Sequence, residues 1–245
     1  MAYWILRCVT GLLLRWIFRI TVVGLKNVPR RGGVIVAMNH RAIVDSFLMP
    51  MLLRRRFTFL AKSEYYNGKG FVGWLKRTFF SIVAHPVDRN DRLAGQKSIE
   101  IMKAIVDSGR MVGIHPEGTR VPGNDAVYKG KASVIEVAWK TGAAVVPVAV
   151  IGTEVANPKQ PREIHIPRWV PRAIVRLFSW LRYVRPGATI VVVIGEPMYF
   201  HEAHLFKGHA RSTQVRRLME RIAELADAEY IHLDAEEAKL RTHAA

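Results

Sequence analysis

Short β-rich runs recur along the chain at Val34–Met38, Phe57–Ala61, Ser81–Val87, Met111–Ile114, Ala144–Val150 and Thr189–Ile194. Several are continuous apolar runs rather than alternating ones, which is how strands buried on both faces read. Between them, apolar positions at helical spacing predict helices over Phe71–Phe79, Arg92–Val106, Lys131–Lys140 and Ser212–Asp227. Gly109 and Gly142 stand where two of these should stop. The pattern predicts an α/β fold, a mixed or parallel β-sheet flanked by helices on both sides.

With 245 residues, 50% of them hydrophobic and 23% charged, the chain can bury a sizeable core, which excludes disorder as its dominant state. No Ser/Gly-rich or acidic stretch divides it, so one domain over residues 24–235 is expected, after an N-terminal segment 1–23 and before a polar tail 236–245. Cys8 is the sole cysteine, excluding an intramolecular disulfide and a zinc site of several thiolates, and pointing to a reducing compartment. Charge changes the picture more: 37 Lys and Arg against 20 Asp and Glu leave +17. The excess lies before residue 218, because residues 218–245 hold seven acids against three bases. Such a surface seeks an anionic partner: nucleic acid, anionic lipid or a phosphorylated substrate.

Residues 2–23 are apolar and aromatic, but Arg7, Arg15 and Arg19 leave no uncharged run long enough to span a bilayer, and no cleavage pattern of a secretory signal follows. On a helical wheel the three arginines fall within about 120°, and apolar residues including Trp4, Trp16 and Phe18 cover most of the remainder. This predicts an amphipathic helix in a membrane interface; packing on the domain's own core is the competing reading. A second segment tips the balance. Residues 168–185 set Arg168, Arg172 and Arg176 four apart beside Trp169, Phe178 and Trp180, and residues 159–185 carry seven bases against Glu163 alone. The expected membrane contacts are therefore Trp4, Arg7, Arg15, Trp16, Phe18, Arg19, Trp169, Arg172, Arg176 and Trp180, on the cytoplasmic face of an anionic membrane. Neither zinc-finger spacing nor an RNA-binding aromatic signature supports a nucleic-acid partner.

Three constellations carry candidate chemistry. Asn39-His40-Arg41-Ala42-Ile43-Val44-Asp45 follows a buried run, where α/β proteins display catalytic side chains. His40 can act as a base near neutral pH, and a carboxylate on its other nitrogen fixes the tautomer. Along one continuous helix the two side chains would stand about 140° apart, so pairing demands that His40 lie in a turn before a helix that holds Asp45. His115-Pro116-Glu117-Gly118-Thr119-Arg120 ends another run and reads as an anion site, with Gly118 for close approach and Arg120 as a planar fork; a plain Glu117–Arg120 pair is the structural alternative. Pro86-Val87-Asp88-Arg89 and Lys62 also sit at strand ends. If those ends converge, Lys62, Arg89 and Arg120 form a cationic pocket beside His40.

Asn39-His40 with Asp45 resembles the His-x4-Asp motif of the glycerolipid acyltransferases, and Pro116-Glu117-Gly118-Thr119-Arg120 resembles their Pro-Glu-Gly-Thr-Arg motif. Val87-Asp88-Arg89 and Val146-Pro147-Val148-Ala149 resemble their intermediate arginine block and later Val-Pro-Val block, in the same chain order. Over about Gly24 to Gly152 the chain is most similar to the 1-acylglycerol-3-phosphate acyltransferases. The resemblance implies acyl transfer from acyl-CoA or acyl-carrier protein to the hydroxyl of a lysophospholipid, lysophosphatidic acid giving phosphatidic acid, or alternatively of glycerol 3-phosphate or another lysophospholipid. His40 would be the base and Asp45 its orienting acid, with Lys62, Arg89, Glu117, Gly118, Thr119 and Arg120 at the acceptor's phosphate. No metal or bound cofactor is implied. His115 and Val121 depart from the phenylalanine and serine common there and are expected to lie off the chemistry, with consequences for acceptor choice. A thioester is already activated, so a positioned base suffices; oxyanion donors are expected among the backbone amides of the His40 loop or the helix start at Asp45.

Rival readings are weaker. Gly68-Lys69-Gly70-Phe71-Val72-Gly73 with Asp88 imitates a dinucleotide fingerprint, but Lys62 to Asn67 separate it from the preceding strand. His201-Glu202-Ala203-His204 spaces its histidines by three where the zinc-protease helix needs four. A non-enzymatic membrane-binding module predicts that His40 is dispensable.

Overall fold

A computed structural model describes residues 1–42, 44–66, 70–87, 93–120, 126–156, 183–201 and 209–235. Its elements run α1 (Ala2–Ile17), β1 (Arg19–Val23), β2 (Val34–Met38), α2 (Asp45–Leu52), β3 (Phe57–Lys62), α3 (Gly70–Val83), β4 (Ala84–Val87), α4 (Ala94–Asp107) and β5 (Met111–Ile114). They continue with β6 (Ala126–Lys129), α5 (Ser133–Thr141), β7 (Ala144–Ile151), α6 (Thr153–Ala156), β8 (Thr189–Ile194), α7 (His209–Ala226) and β9 (Glu229–Asp234). Seven strands form one sheet in the order β1-β8-β7-β2-β5-β3-β4; β6 and β9 form a separate parallel pair. Every neighbouring pair in the large sheet is parallel except β7 and β8. The sheet is mixed, as expected.

The apolar runs explain the layering. Along β2, Val34, Val36 and Met38 join one buried cluster with residues of α2, while Ile35 and Ala37 join a second with residues of α4, α5 and α7. All five β2 residues are buried, so the two-residue period sorts side chains between two cores rather than between core and water. Gly113 shows how tightly β5 is packed: a Cβ there would stand 2.5 Å from the rings of both Phe57 and Phe59.

Three boundaries differ from the sequence expectation. The N-terminal helix stops at Ile17; residues 19–23 form the edge strand β1, paired with β8 in register from Arg19↔Thr189 to Val23↔Val193. Phe18 accordingly turns into the core, 3% exposed, and is not a membrane contact; Arg19 is exposed, but on the strand. Its β-branched neighbours Ile20, Thr21, Val22 and Val23 favour that edge over a helix. The expected strand Ser81–Val87 is split, because α3 continues to Val83 before β4 begins. The strands β6 and β9 were not expected, β6 because it has four residues and β9 because half of its six are polar.

One stripe of α1 binds the domain. The Tyr3 hydroxyl accepts the Phe57 amide at 3.0 Å and Arg7 Nε donates to Leu53 O at 2.7 Å, while Ile17 is buried. The opposite stripe, Ile5, Val9, Leu12, Leu13 and Trp16, is exposed. Trp4 and Arg15 are exposed as well, and Arg7 lies over the Trp4 ring at 5.8 Å. Among the described residues, no helix is long and apolar enough to cross a membrane. Trp169, Arg172, Arg176 and Trp180 lie outside the described residues.

Candidate active site

Parallel strands deliver their C-terminal ends to one edge of the sheet. Along that edge β2 leads to His40, β5 to His115, β3 ends at Lys62 and β4 at Val87, with Lys62 and Val87 in register. The convergence needed for a common pocket is thus met by the backbone. Arg89 and the side chain of Lys62 lie outside the described residues.

His40 sits in the turn between β2 and α2, and Asp45 opens the helix, the arrangement that pairing demanded. Nδ1 of His40 lies 3.1 Å from Asp45 Oδ2. The same oxygen accepts the amides of Arg41 at 2.7 Å and Ala42 at 2.8 Å. With Nδ1–H donating to the carboxylate, the lone pair of the His40 ring lies on Nε2. Asp45 is fully buried, and desolvation pushes its carboxyl up from the ordinary range, opposed by His115 and by the surrounding donors. Asn39 fixes the turn from the other side: its side-chain amide donates to Val150 O at 3.0 Å and accepts Val150 N–H at 2.8 Å, extending the ladder to β7 where β2 leaves the sheet.

Glu117 is not where the sequence placed it. It is 3% exposed and points away from the cavity, accepting the backbone amide of His40 at 2.9 Å and that of Tyr128 at 3.0 Å. Backbone amides of the His40 turn and of Tyr128 on β6 draw the carboxylate inward, so it clamps the turn to β6 instead of meeting a phosphate. Burial pushes its carboxyl up to about 7. One of the two expected sources of oxyanion donors is corrected with it: the loop amides of His40, Arg41 and Ala42 are committed to carboxylates, while the helix start at Asp45 is not affected by these bonds.

His115 does touch the chemistry. Its ring stacks on His40 with centroids 3.8 Å apart and planes 14° apart, and on its other side lies nearly parallel to Phe59 at 5.5 Å. Nδ1 donates to Asn39 O at 3.0 Å, which leaves Nε2 to accept the Ser46 hydroxyl at 3.3 Å. Burial, then the adjoining His40, hold the His115 imidazole down at about 3, so it stays neutral.

These groups border a cavity of about 710 Å³ whose lining combines His40, Ser46, Gly118, Thr119, Arg120 and Lys131 with the apolar Phe59, Phe80, Val83 and Met102. Gly118 has φ +74, and a Cβ there would meet the end of the Lys131 side chain at 2.6 Å, so the glycine makes room for a second cation beside Arg120. Lys131 was legible only as the start of a helical pattern. A basic residue held over a glycine turn, an apolar wall and a paired histidine can bind an anionic headgroup, cover a hydrocarbon chain and remove a proton. No group of three or more potential metal-ligating side chains occurs among the described residues. The 3₁₀ turn Ser63–Tyr66 separates β3 from the glycine-rich stretch, so the dinucleotide geometry is missing.

The family model described as "Acyltransferase" matches residues 19–151. The chain is 31% identical over 141 residues to a 1-acyl-sn-glycerol-3-phosphate acyltransferase of Borreliella burgdorferi, covering 55% of this chain and 52% of that protein. It is 26% identical over 208 residues to the protein of that name from Bacillus subtilis, covering 84% and 87%. The chain thus spans about half the length of the first relative and most of the second. The crystal structure of a 1-acyl-sn-glycerophosphate acyltransferase from Thermotoga maritima superposes with a TM-score of 0.56 at 25% identity, over 86% of this chain and 73% of that one.

Proposed function

This chain belongs to the acyltransferase family, and we propose that it moves a fatty acyl group from acyl-CoA or acyl-carrier protein to the free hydroxyl of 1-acylglycerol 3-phosphate, giving phosphatidic acid. The observation that carries this reading is the His40–Asp45 pair at the wall of a cavity whose lining holds both cations and apolar residues. His40 Nε2 takes the proton of the acceptor hydroxyl as its oxygen attacks the thioester carbonyl. The carbon–sulfur bond then breaks, and the thiolate leaves with the proton that His40 gives back. Asp45 stays ionised throughout, holding the ring and offsetting the imidazolium charge. Arg120 and Lys131, with Arg89 and Lys62 from the neighbouring strand ends, supply charge for the acceptor's phosphate, Gly118 and Thr119 shaping the turn.

In this reading the protein lies on the cytoplasmic face of an anionic membrane without crossing it. The exposed stripe of α1 supports that placement, since Leu12 is 71% and Trp16 84% exposed with Arg15 beside them. The basic segment around Trp169, Arg172, Arg176 and Trp180 would add further attraction.

The test uses purified protein in anionic vesicles with acyl-CoA and 1-acylglycerol 3-phosphate, following free thiol and phosphatidic acid, with His40→Ala in parallel. Both products are expected from the wild type and neither from His40→Ala. Repeating it with acyl-carrier protein, glycerol 3-phosphate and other lysophospholipids assigns donor and acceptor; no transfer in any combination would overturn the reading.

A further inference from the structure

The end of β7 lies behind the catalytic pair. At Gly152 the chain turns with φ +83, where a Cβ would stand 2.3 Å from Thr189 O. The turn delivers Thr153, the first residue of α6, into the interior with no exposure to solvent. Its hydroxyl faces Asp45, which is equally sealed. The two oxygens of Asp45 are unequally served: Oδ2 gathers His40 and the amides of Arg41 and Ala42, whereas Oδ1 and, beside it, Thr153 Oγ1 are both buried without a hydrogen-bond partner among the described residues. A buried carboxylate oxygen without a donor is costly, and a hydroxyl that can rotate toward it is the group that satisfies it. Asn39 holds the spacing, because its bonds to Val150 tie the His40 turn to β7 three residues before Thr153.

We propose that Thr153 is a positioning residue of the acyl transfer, its hydroxyl donating to Oδ1 of Asp45 and so holding the carboxylate ionised in the orientation that aligns His40. The inference rests on the acyltransferase reading above. It also gives the stretch after Val146-Pro147-Val148 a reason to end as it does: the end of β7 carries the anchor of the loop at Val150, and the turn into α6 carries the support of the acid at Thr153. The ionisable groups facing Asp45 are His40 on its own loop and His115 and Glu117 from the loop after β5. Removing the hydroxyl withdraws one stabilising donor from the anion and leaves those groups in place, so Asp45 holds a proton more tightly.

The experiment compares the full-length wild type with Thr153→Val, which keeps the shape, and Thr153→Ser, which keeps the hydroxyl. Thr153→Val should lower kcat about tenfold, the effect of one hydrogen bond to a buried charge, with KM for the acceptor within about twofold. The acid limb of kcat/KM should move to higher pH, and Thr153→Ser should recover the wild-type rate and profile. A second readout needs no turnover: in 15N-labelled protein the imidazole N–H of His40 bonded to Asp45 should be protected from solvent exchange in the wild type and Thr153→Ser, and exchange faster in Thr153→Val. Unchanged kcat, pH profile and exchange in a folded Thr153→Val would overturn the proposal, as would a Thr153→Ser variant impaired equally. A wild type that transfers no acyl group would sink the functional reading, while the exchange measurement would still decide the role of Thr153.

Discussion

Replacing Glu117 with glutamine separates its charge from its shape. The carboxylate is 3% exposed and accepts two backbone amides, at 2.9 Å from His40 and 3.0 Å from Tyr128. Glutamine can accept only one; its NH2 then faces the other N–H, a loss of about 1–3 kcal/mol for a buried donor left unmet. The pH dependence runs the opposite way. Burial raises the folded carboxyl from 4.5 to about 7, so between those values the folded protein holds a proton that the unfolded chain releases. Stability is therefore greatest below 4.5 and falls as pH rises to about 7; at 1.36 kcal/mol per pH unit this amounts to about 3 kcal/mol. Glutamine does not titrate and escapes that loss. Thermal denaturation of Glu117→Gln and wild type at pH 5 and pH 8 should show the variant melting lower at pH 5, with the gap narrowed or reversed at pH 8 by ~2 kcal/mol, roughly 4–8 °C for a chain of this size. Other titrating groups are common to both proteins and cancel in the difference. A gap that is constant, or that widens with pH, would refute the assignment of Glu117 as a buried clamp with a raised carboxyl.

His115→Ala removes the wall against which His40 stacks and should lower kcat about tenfold, whereas His115→Phe keeps a flat ring and should cost about threefold or less in initial-rate assays; equal losses in both would mean that the hydrogen bonds to Asn39 and Ser46, and not the stack, matter. Arg120→Lys and Lys131→Ala should each raise KM for the phosphorylated acceptor by about tenfold with kcat nearly retained, and a fall in kcat alone would place them elsewhere. Leu12→Glu combined with Trp16→Glu, at exposed positions of α1, should reduce co-sedimentation with anionic vesicles without lowering Tm; undiminished sedimentation would remove α1 from the membrane contact.

The paired histidine and aspartate were legible because their spacing made a definite demand: His40 had to precede the helix that Asp45 begins, and it does. The β2 run Val34–Met38 was equally clear, since five consecutive apolar residues have no surface on which to lie except between two layers of helices. β1 was missed because residues 2–23 read as one apolar segment; only the free edge of β8 makes Arg19–Val23 a strand. Glu117 was misplaced for a related reason. A carboxylate next to Gly118-Thr119-Arg120 looks like part of an anion site, and nothing local says that the backbone amides of His40 and Tyr128, 77 and 11 residues away in sequence, will claim it. His115 stacks on a residue 75 positions earlier because β2 and β5 are neighbours in register, Ala37 opposite Ile114. Sequence alone determined what is local: periodicity, the chemistry available at each strand end, and the order of the blocks. Tertiary structure decided which of those groups meet and which way each side chain turns, because burial makes every polar atom seek a partner and parallel strand order sets which partners lie within reach.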